Sequence, residues 1–352
     1  MAYPLMFTLR FKASAIQLPT DTLVLSCYEA GRDGFWLHRY LDQNGVHNCI
    51  VDAASIEVNR RARRAKSDRL DVGKLLTMLI RYHGGESKLW SVIRVPSPED
   101  EDRRQPHREL MAVKGERTEH SNRIKGLLAS LGLDITVDDD LPKRLGLLRQ
   151  WDGTPVPPEM TARILREFAR WTLADRQARD LENALRRAFR DEETADVEKL
   201  RLLLDLKAIG PMSATLFVRE FFGWRAIRNR RERASLAGLA PTPYASGDRQ
   251  REQGISKAGN RRLRWMAVEI AWGWLRWQPQ SALSAWYQSR FGSGNSRLRK
   301  VGIVALARKL LIALWRYLEQ DEVPEGAEFT PWEKKLNGRM PAGSSVVNID
   351  NV

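Results

Sequence analysis

The chain has 352 residues, 43% of them hydrophobic and 29% charged, a composition that supplies globular cores and excludes disorder throughout. Lysine and arginine total 58 against 44 acids, a formal net charge of +14, and a soluble protein this basic points to a polyanionic partner, above all nucleic acid. Two cysteines, Cys27 and Cys49, are too few for a disulfide framework or a four-thiolate zinc site, and the five histidines show no paired metal spacing.

No apolar run approaches the ~20 residues of a membrane helix. The N-terminus lacks the long apolar core and small-residue cleavage site of a signal peptide. A cytoplasmic location without a membrane partner is therefore expected. Length allows roughly two to three domains.

In chain order, residues 22–26 (TLVLS) read as a β-strand rich in branched side chains. Residues 35–41 follow as an amphipathic helix that Asn44-Gly45 ends, and 48–52 (NCIVD) read as a second strand. A basic loop spans 59–66 (NRRARRAK); Ser67 is placed to cap a helix over 68–82 with Leu70, Leu75, Leu76 and Leu79 as its apolar positions, stopped by Gly84-Gly85. Residues 90–95 (WSVIRV) read as a third strand. The alternation of strands and helices implies an α/β layer over residues 1–97.

From 98 to 196 the pattern is helical and highly charged. Leu110, Val113, Ile124, Leu127, Leu128 and Leu131 are its first apolar positions, a break containing WDGTPVPP lies within 142–158, and a long helix covers 159–193. This predicts a helical hairpin or coiled coil, as a solvated spacer or as a binding or dimerising arm. From 197 to 325 short helices with glycine punctuation take over. Seven of the twelve tryptophans fall between Trp224 and Trp315, which predicts an aromatic core there. Residues 225–264 hold eleven Lys/Arg against three Asp/Glu. The tail, 326–352, is expected to be flexible.

Glu29 follows directly on the first strand, at the end where open α/β sheets place their ligand crevice. Asp68 and Asp71, three apart on a helix, share one face. Such carboxylates suit a hard divalent cation such as Mg²⁺, and metal pairs of this kind serve phosphoryl transfer. They equally suit the first turn of a helix, where the macrodipole favours acids. Residues 206–214 (LKAIGPMSA) have the form of a helix-hairpin-helix, whose turn at Gly210 would aim backbone N–H groups at a phosphate. Pro241 and Pro243 stiffen a loop presenting Tyr244 and Ser246, with Arg249, Arg251, Lys257, Arg261 and Arg262 around it. A serine among fixed cations can attack a phosphate; it can also cap a helix or contact a phosphate. Ser256 competes for the role.

Together, YEAGRDGFWLHRYL, RRAKSDRLDVGKLL, LKAIGPMSATLF, SLAGLAPTPYASG and GISKAGNRRLR resemble the IS-one-ten family of insertion-sequence transposases, DEDD-type, bridge-RNA-guided recombinases. The resemblance covers about residues 20–325 in the family's order. It implies α/β plus mostly α architecture: a RuvC-like, RNase H-type domain (1–97), a helical coiled-coil segment (98–196) and a C-terminal transposase domain (197–325). It implies that Glu29, Asp68 and Asp71 are three of four Mg²⁺ ligands, and that Ser246 attacks the DNA phosphodiester. Gly210, Arg249, Lys257, Asn260, Arg261 and Arg262 are expected to contact nucleic acid. DNA, a guide (bridge) RNA and further copies of the chain are the implied partners, in a bacterial, nucleoid-associated setting.

One departure stands out. The family's first acid is an Asp on the first strand, but the candidate strand MFTLRF (6–11) has none. Asp21 lies at the wrong end of the strand leading to Glu29. The N-terminal domain is therefore expected to be shortened. Two alternatives follow: a metal-only RuvC-like nuclease, and an impaired remnant that only binds nucleic acid.

Overall fold

The computed structural model describes residues 15, 17, 19, 21–31, 34–56, 68–225, 230–246 and 249–337. The candidate strand 6–11, the basic loop 59–66, Ser67 and most of the tail lie outside them. The chain divides into two compact units, Met1–Ser97 and Pro98–Val352. No helix among the described residues is long and apolar enough to cross a membrane.

In the first unit, β1 (Val24–Glu29) pairs in parallel with β2 (Val46–Val51), Val24 opposite Val46 and Glu29 opposite Val51. The crossover between them is α1 (Trp36–Gln43). It stops where the Asn44 side chain donates to the Tyr40 carbonyl (2.8 Å) and Gly45 turns at φ +77°, the left-handed region that glycine enters at little cost. A third element, α2 (Asp68–His83), packs on β1. Its inward positions Met78 and Leu79 join Val51 and Trp90 in a small core. Leu76, read as apolar and inward, is 54% exposed.

The expected third strand at 90–95 is corrected. It meets β2 through one antiparallel bridge, Val51 opposite Val92, with Asp52 N–H on Ser91 O (2.9 Å) and Ile93 N–H on Ile50 O (2.8 Å). Its side chains anchor at one point, with Trp90 buried and Val92 exposed. Pro96, lacking an N–H, closes the run.

The second unit opens with α3 (Pro98–Asp102) and α4 (Gln105–Ala129), then short α5 (Leu141–Leu145) and long α6 (Pro158–Asp191). Pro158 at the first turn of α6 loses no helical hydrogen bond. α4 and α6 run antiparallel. Leu110 and Val113 pack with Ala174 and Ala178, and Ile124 and Leu128 with Ile164. Ion pairs follow the same order: Lys114–Glu182 (2.5 Å), Arg117–Asp175 (2.9 Å) and His120–Glu167 (2.7 Å).

The remaining helices form one bundle. They are α7 (Ala195–Asp205), α8 (Pro211–Phe217) running into a wider turn over Val218–Phe222, and α9 (Arg230–Leu236). A hairpin of β3 (Pro241–Ser246) and β4 (Arg249–Ile255) follows. Then come α10 (Arg261–Trp277), α11 (Ala282–Tyr287), α12 (Ser296–Gln320) and α13 (Trp332–Asn337). α10 and α12 form the spine, and Phe217, Phe221, Trp274, Leu306 and Leu310 fill the core.

The predicted tryptophan core forms from most of its members: Trp224 and Trp274 are buried and Trp265, Trp286 and Trp315 pack against the core, while Trp272 and Trp277 face outward. Trp274 is fully buried, its indole N–H on Ser281 Oγ at 2.8 Å. Trp272 is 47% exposed and Trp277 54%, because the helical period turns 270, 271 and 274 inward and 272, 276 and 277 outward.

Candidate functional site

The acids sit on two elements of the first unit. Glu29 is the last residue of β1 and is exposed. Asp68 begins α2, and Asp71 lies exposed one turn later. Strand and helix meet where the Cys27 thiol donates to the Leu75 carbonyl at 3.8 Å, two residues before Glu29 and one turn after Asp71. Both cysteines are free. Burial raises the thiol pKa of each, and Cys49 adds to the rise at Cys27, which disfavours the thiolate. Among the described residues no group of three or more His, Cys, Asp or Glu gathers as a metal site. Glu29 and Asp71 nonetheless carry hard oxygen donors of the kind Mg²⁺ takes.

Ser246 ends β3 and stands directly opposite Arg249, the first residue of β4. The pair closes a hairpin whose intervening positions, Gly247 and Asp248, lie outside the described residues. The root of the hairpin is stapled backbone to backbone. Ser256 N–H donates to Ala240 O (2.9 Å), Lys257 N–H to Gly238 O (3.1 Å) and Asn260 N–H to Leu236 O (2.9 Å). Two glycines permit this approach. A Cβ on Gly238 (φ +66°) would come 2.5 Å from Ala258 O, and one on Gly259 (φ +119°) 2.4 Å from Leu236 O. Ser256 spends its N–H in the staple and does not cap α10. That place belongs to Asn260, whose side chain accepts from Leu263 N–H at 3.1 Å.

Lys257, Arg261 and Arg262 are all exposed around this root. Arg264, one turn further on, is buried and donates to Lys257 O at 2.9 Å. Arg261 and Arg262 occupy the first turn of α10, where the helix macrodipole favours anions. Asn260 is committed to the protein itself, since its amide also donates to Glu220 at 3.3 Å.

Glu220 was not among the sequence candidates. Only 2% exposed on the turn after α8, it accepts from Arg108 Nε (2.6 Å) and a second Arg108 nitrogen (2.8 Å), and contacts His107 Nε2 at 3.1 Å. Burial alone would raise its pKa, but the hydrogen bonds from His107 and Arg108 outweigh burial and hold it far below the ordinary glutamate value. Glu220 thus ties α4 to the cap of α10, the helix that follows the serine hairpin. The signal for it was a lone acid inside an apolar run, LFVREFFGW.

The glycine turn does form between α7 and α8. Gly210 precedes α8 in extended conformation. Its N–H is spent on Ser213 Oγ (3.0 Å), which donates back to Gly210 O (2.9 Å), so Gly210 N–H is turned to the protein's own use. A C-terminal strap lies along the other side of the turn. Leu206 bridges Phe329, Lys207 N–H donates to Glu328 O (3.1 Å), and Gln278 Nε2 donates to both Lys207 O (3.1 Å) and Glu328 O (2.9 Å).

Residues 200–288, from α7 to the end of α11, match the family model described as Transposase IS116/IS110/IS902 family. The chain is 45% identical over 309 residues to the protein of Sinorhizobium fredii named as transposase y4rJ, covering 85% of this chain and 78% of that one. It is also 25% identical over 223 residues to the transposase for insertion sequence element IS1328 of Yersinia enterocolitica, covering 62% of this chain and 63% of that one.

Proposed function

The chain belongs to the IS116/IS110/IS902 family of transposases, and from that membership we propose that it cuts and rejoins DNA strands with Ser246 as the nucleophile. The observation that carries the proposal is local. A serine stands opposite Arg249 at the end of a stapled hairpin, and three exposed cations, Lys257, Arg261 and Arg262, surround the hairpin's root. All of these lie inside the family match.

In this reading the exposed cations hold backbone phosphates and set the register of the DNA. Ser246 Oγ attacks phosphorus, a P–Oγ bond forms, one bridging P–O bond breaks, and the serine proton leaves as the departing sugar oxygen gains one. The phosphodiester energy is kept in the serine ester, so a second strand can be joined by the reverse exchange. Arg249, opposite the serine, would offset the charge that builds on the phosphate oxygens.

The all-oxygen donor set of the first unit fits a hard cation, and Glu29, Asp68 and Asp71 would hold Mg²⁺. When bound it would polarise the scissile phosphate and favour the leaving oxygen. The guide RNA and the assembly of several copies belong to the same proposal, with base pairing carrying sequence choice and the protein reading backbone and shape.

The test uses the full chain with Mg²⁺, an RNA transcribed from the element's end, and DNA carrying donor and target sites. We expect a protein–DNA adduct that survives denaturant in the wild type, is absent in Ser246→Ala, and falls at least about a hundredfold in Asp71→Asn, the scale of losing one main stabiliser of transition-state charge. An undiminished adduct in Ser246→Ala would overturn the serine assignment. Nicked DNA without any adduct would favour a metal-only nuclease.

A further inference from the structure

The indole of Trp224, on the segment that follows α8, carries two guanidinium groups. Arg225 lies 4.3 Å from the ring centroid and Arg104 5.1 Å. Arg104 is 6% exposed and Trp224 8%, while Arg225 keeps part of its surface open to solvent. Arg104 spends its Nε on the Asp100 carbonyl at 3.0 Å. The buried carboxylate nearby, Glu220, is taken by Arg108 at 2.6 Å. Among the described residues no carboxylate pairs with Arg104 or Arg225. Two donors also stay unmet: Arg225 Nε and Trp224 Nε1 are buried and have no hydrogen-bond partner.

We propose that Arg104, Arg225 and the Trp224 indole N–H form a phosphate site for bound nucleic acid, where the start of α4 meets the segment after α8. A phosphate oxygen accepts from the unmet donors, and its charge is the one the two guanidinium groups lack. Arginine's planar fork of donors matches phosphate oxygens in geometry as well as sign. Resting on the reading of the chain as a nucleic-acid binder, the site adds to it a contact away from the serine hairpin.

The electrostatics point the same way. Burial pulls Arg225 down to about 10 and the Arg104 charge adds to the fall, against Glu220 and Glu232. Burial and then the Arg108 charge lower Arg104. Both stay protonated at neutral pH, so two desolvated cations press on each other. Stacking on an indole face offsets part of that cost, but a buried charge without a counter-charge remains expensive. Arg104 is also the N-cap of α4 and offers its first turn no side-chain acceptor, so the helix end adds partial positive charge.

The experiment has two arms, both on the full chain. The first titrates inorganic phosphate against chloride at constant ionic strength and reads the thermal midpoint. The wild type should gain about 2–4 °C and saturate. Arg225→Gln removes one of two repelling cations. Its midpoint in chloride should match or exceed the wild type, and phosphate should no longer raise it; Arg104→Gln should lose the rise as well. An Arg225→Gln midpoint that falls equally in both buffers would make the arginine a packing group and overturn the proposal. So would a wild type indifferent to phosphate, a result that needs no variant to fold. The second arm reads fluorescence anisotropy across a salt series with a DNA duplex and with an RNA transcribed from the element's end. Arg225→Gln should flatten the log–log slope by about 0.9 on duplex DNA or about 0.7 on single-stranded RNA, and the polymer affected is the one that supplies the phosphate. Slopes unchanged with both, while Lys257→Gln flattens its own, would overturn this site and leave the nucleic-acid reading standing. Absence of wild-type binding to either polymer would instead overturn the reading on which the site rests.

Discussion

Neutralising Glu220 would strand the partners it holds. Arg108 would lose a two-pronged charge-assisted bond and Asn260 part of its anchor. Glu220→Gln is expected to cost about 2–4 kcal/mol, the scale of breaking a buried hydrogen-bonded ion pair, measured by urea unfolding. The pH dependence follows with a definite sign. The folded-state pKa of Glu220 lies below its ordinary 4.5, so its stabilisation is complete above about 4.5 and is lost as pH falls through the folded value. Thermal midpoints should therefore fall more steeply below pH 4.5 in the wild type than in Glu220→Gln; parallel curves would contradict the assignment. Gly259→Ala tests the hairpin staple. Its Cβ would sit 2.4 Å from Leu236 O at φ +119°. The substitution should lower stability by about 1–3 kcal/mol, the scale of a strained backbone, and should also reduce activity by shifting the hairpin root. Glu220 could have been flagged from its apolar surroundings, but its partners His107 and Arg108 lie more than a hundred positions away, and no local pattern names them.

Helices with a long apolar period were legible, because an amphipathic stripe fixes both the element and its buried face. Leu110, Val113, Ile124 and Leu128 are buried along α4 as read. Ile124→Ala should accordingly cost about 2–5 kcal/mol, read as a shift of the unfolding midpoint. The segment 90–95 failed for an instructive reason. Its alternating apolar residues satisfy a strand pattern, yet a strand needs a partner along its length, and β2 offers it one bridge. Trp272 and Trp277 of α10 departed similarly, since the number of tryptophans says nothing of which side of the helix each one takes. Ser246 and Arg249 were named from a proline-stiffened, basic stretch, and the register that sets them opposite each other needed the hairpin itself. The strap over the glycine turn was invisible in sequence, because its bonds join residues far apart along the chain, Gln278 to Lys207 and Trp332 to Asp205 among them.

At the scale of the molecule, the excess of 58 basic over 44 acidic residues predicts salt-sensitive binding to nucleic acid. Each phosphate contact releases condensed counterions, so a plot of log affinity against log salt should lose about 0.9 of slope for each cation removed at a duplex contact. Lys257→Gln, Arg261→Gln and Arg262→Gln should each flatten the slope by about that amount, while Arg276→Gln, on the last turn of α10, should leave it unchanged. Fluorescence anisotropy across a salt series reads this, and equal slopes in all four variants would remove these cations from the interface.

The chemistry itself rests on one bond, between Ser246 Oγ and phosphorus. The measurement that addresses it is peptide mass spectrometry of the denatured reaction product after nuclease trimming. A nucleotide remnant on Ser246, and on no other residue of the peptide, is the expected result. A remnant on Ser256, on Tyr244 or on no residue, in a reaction that has joined strands, would contradict the serine assignment.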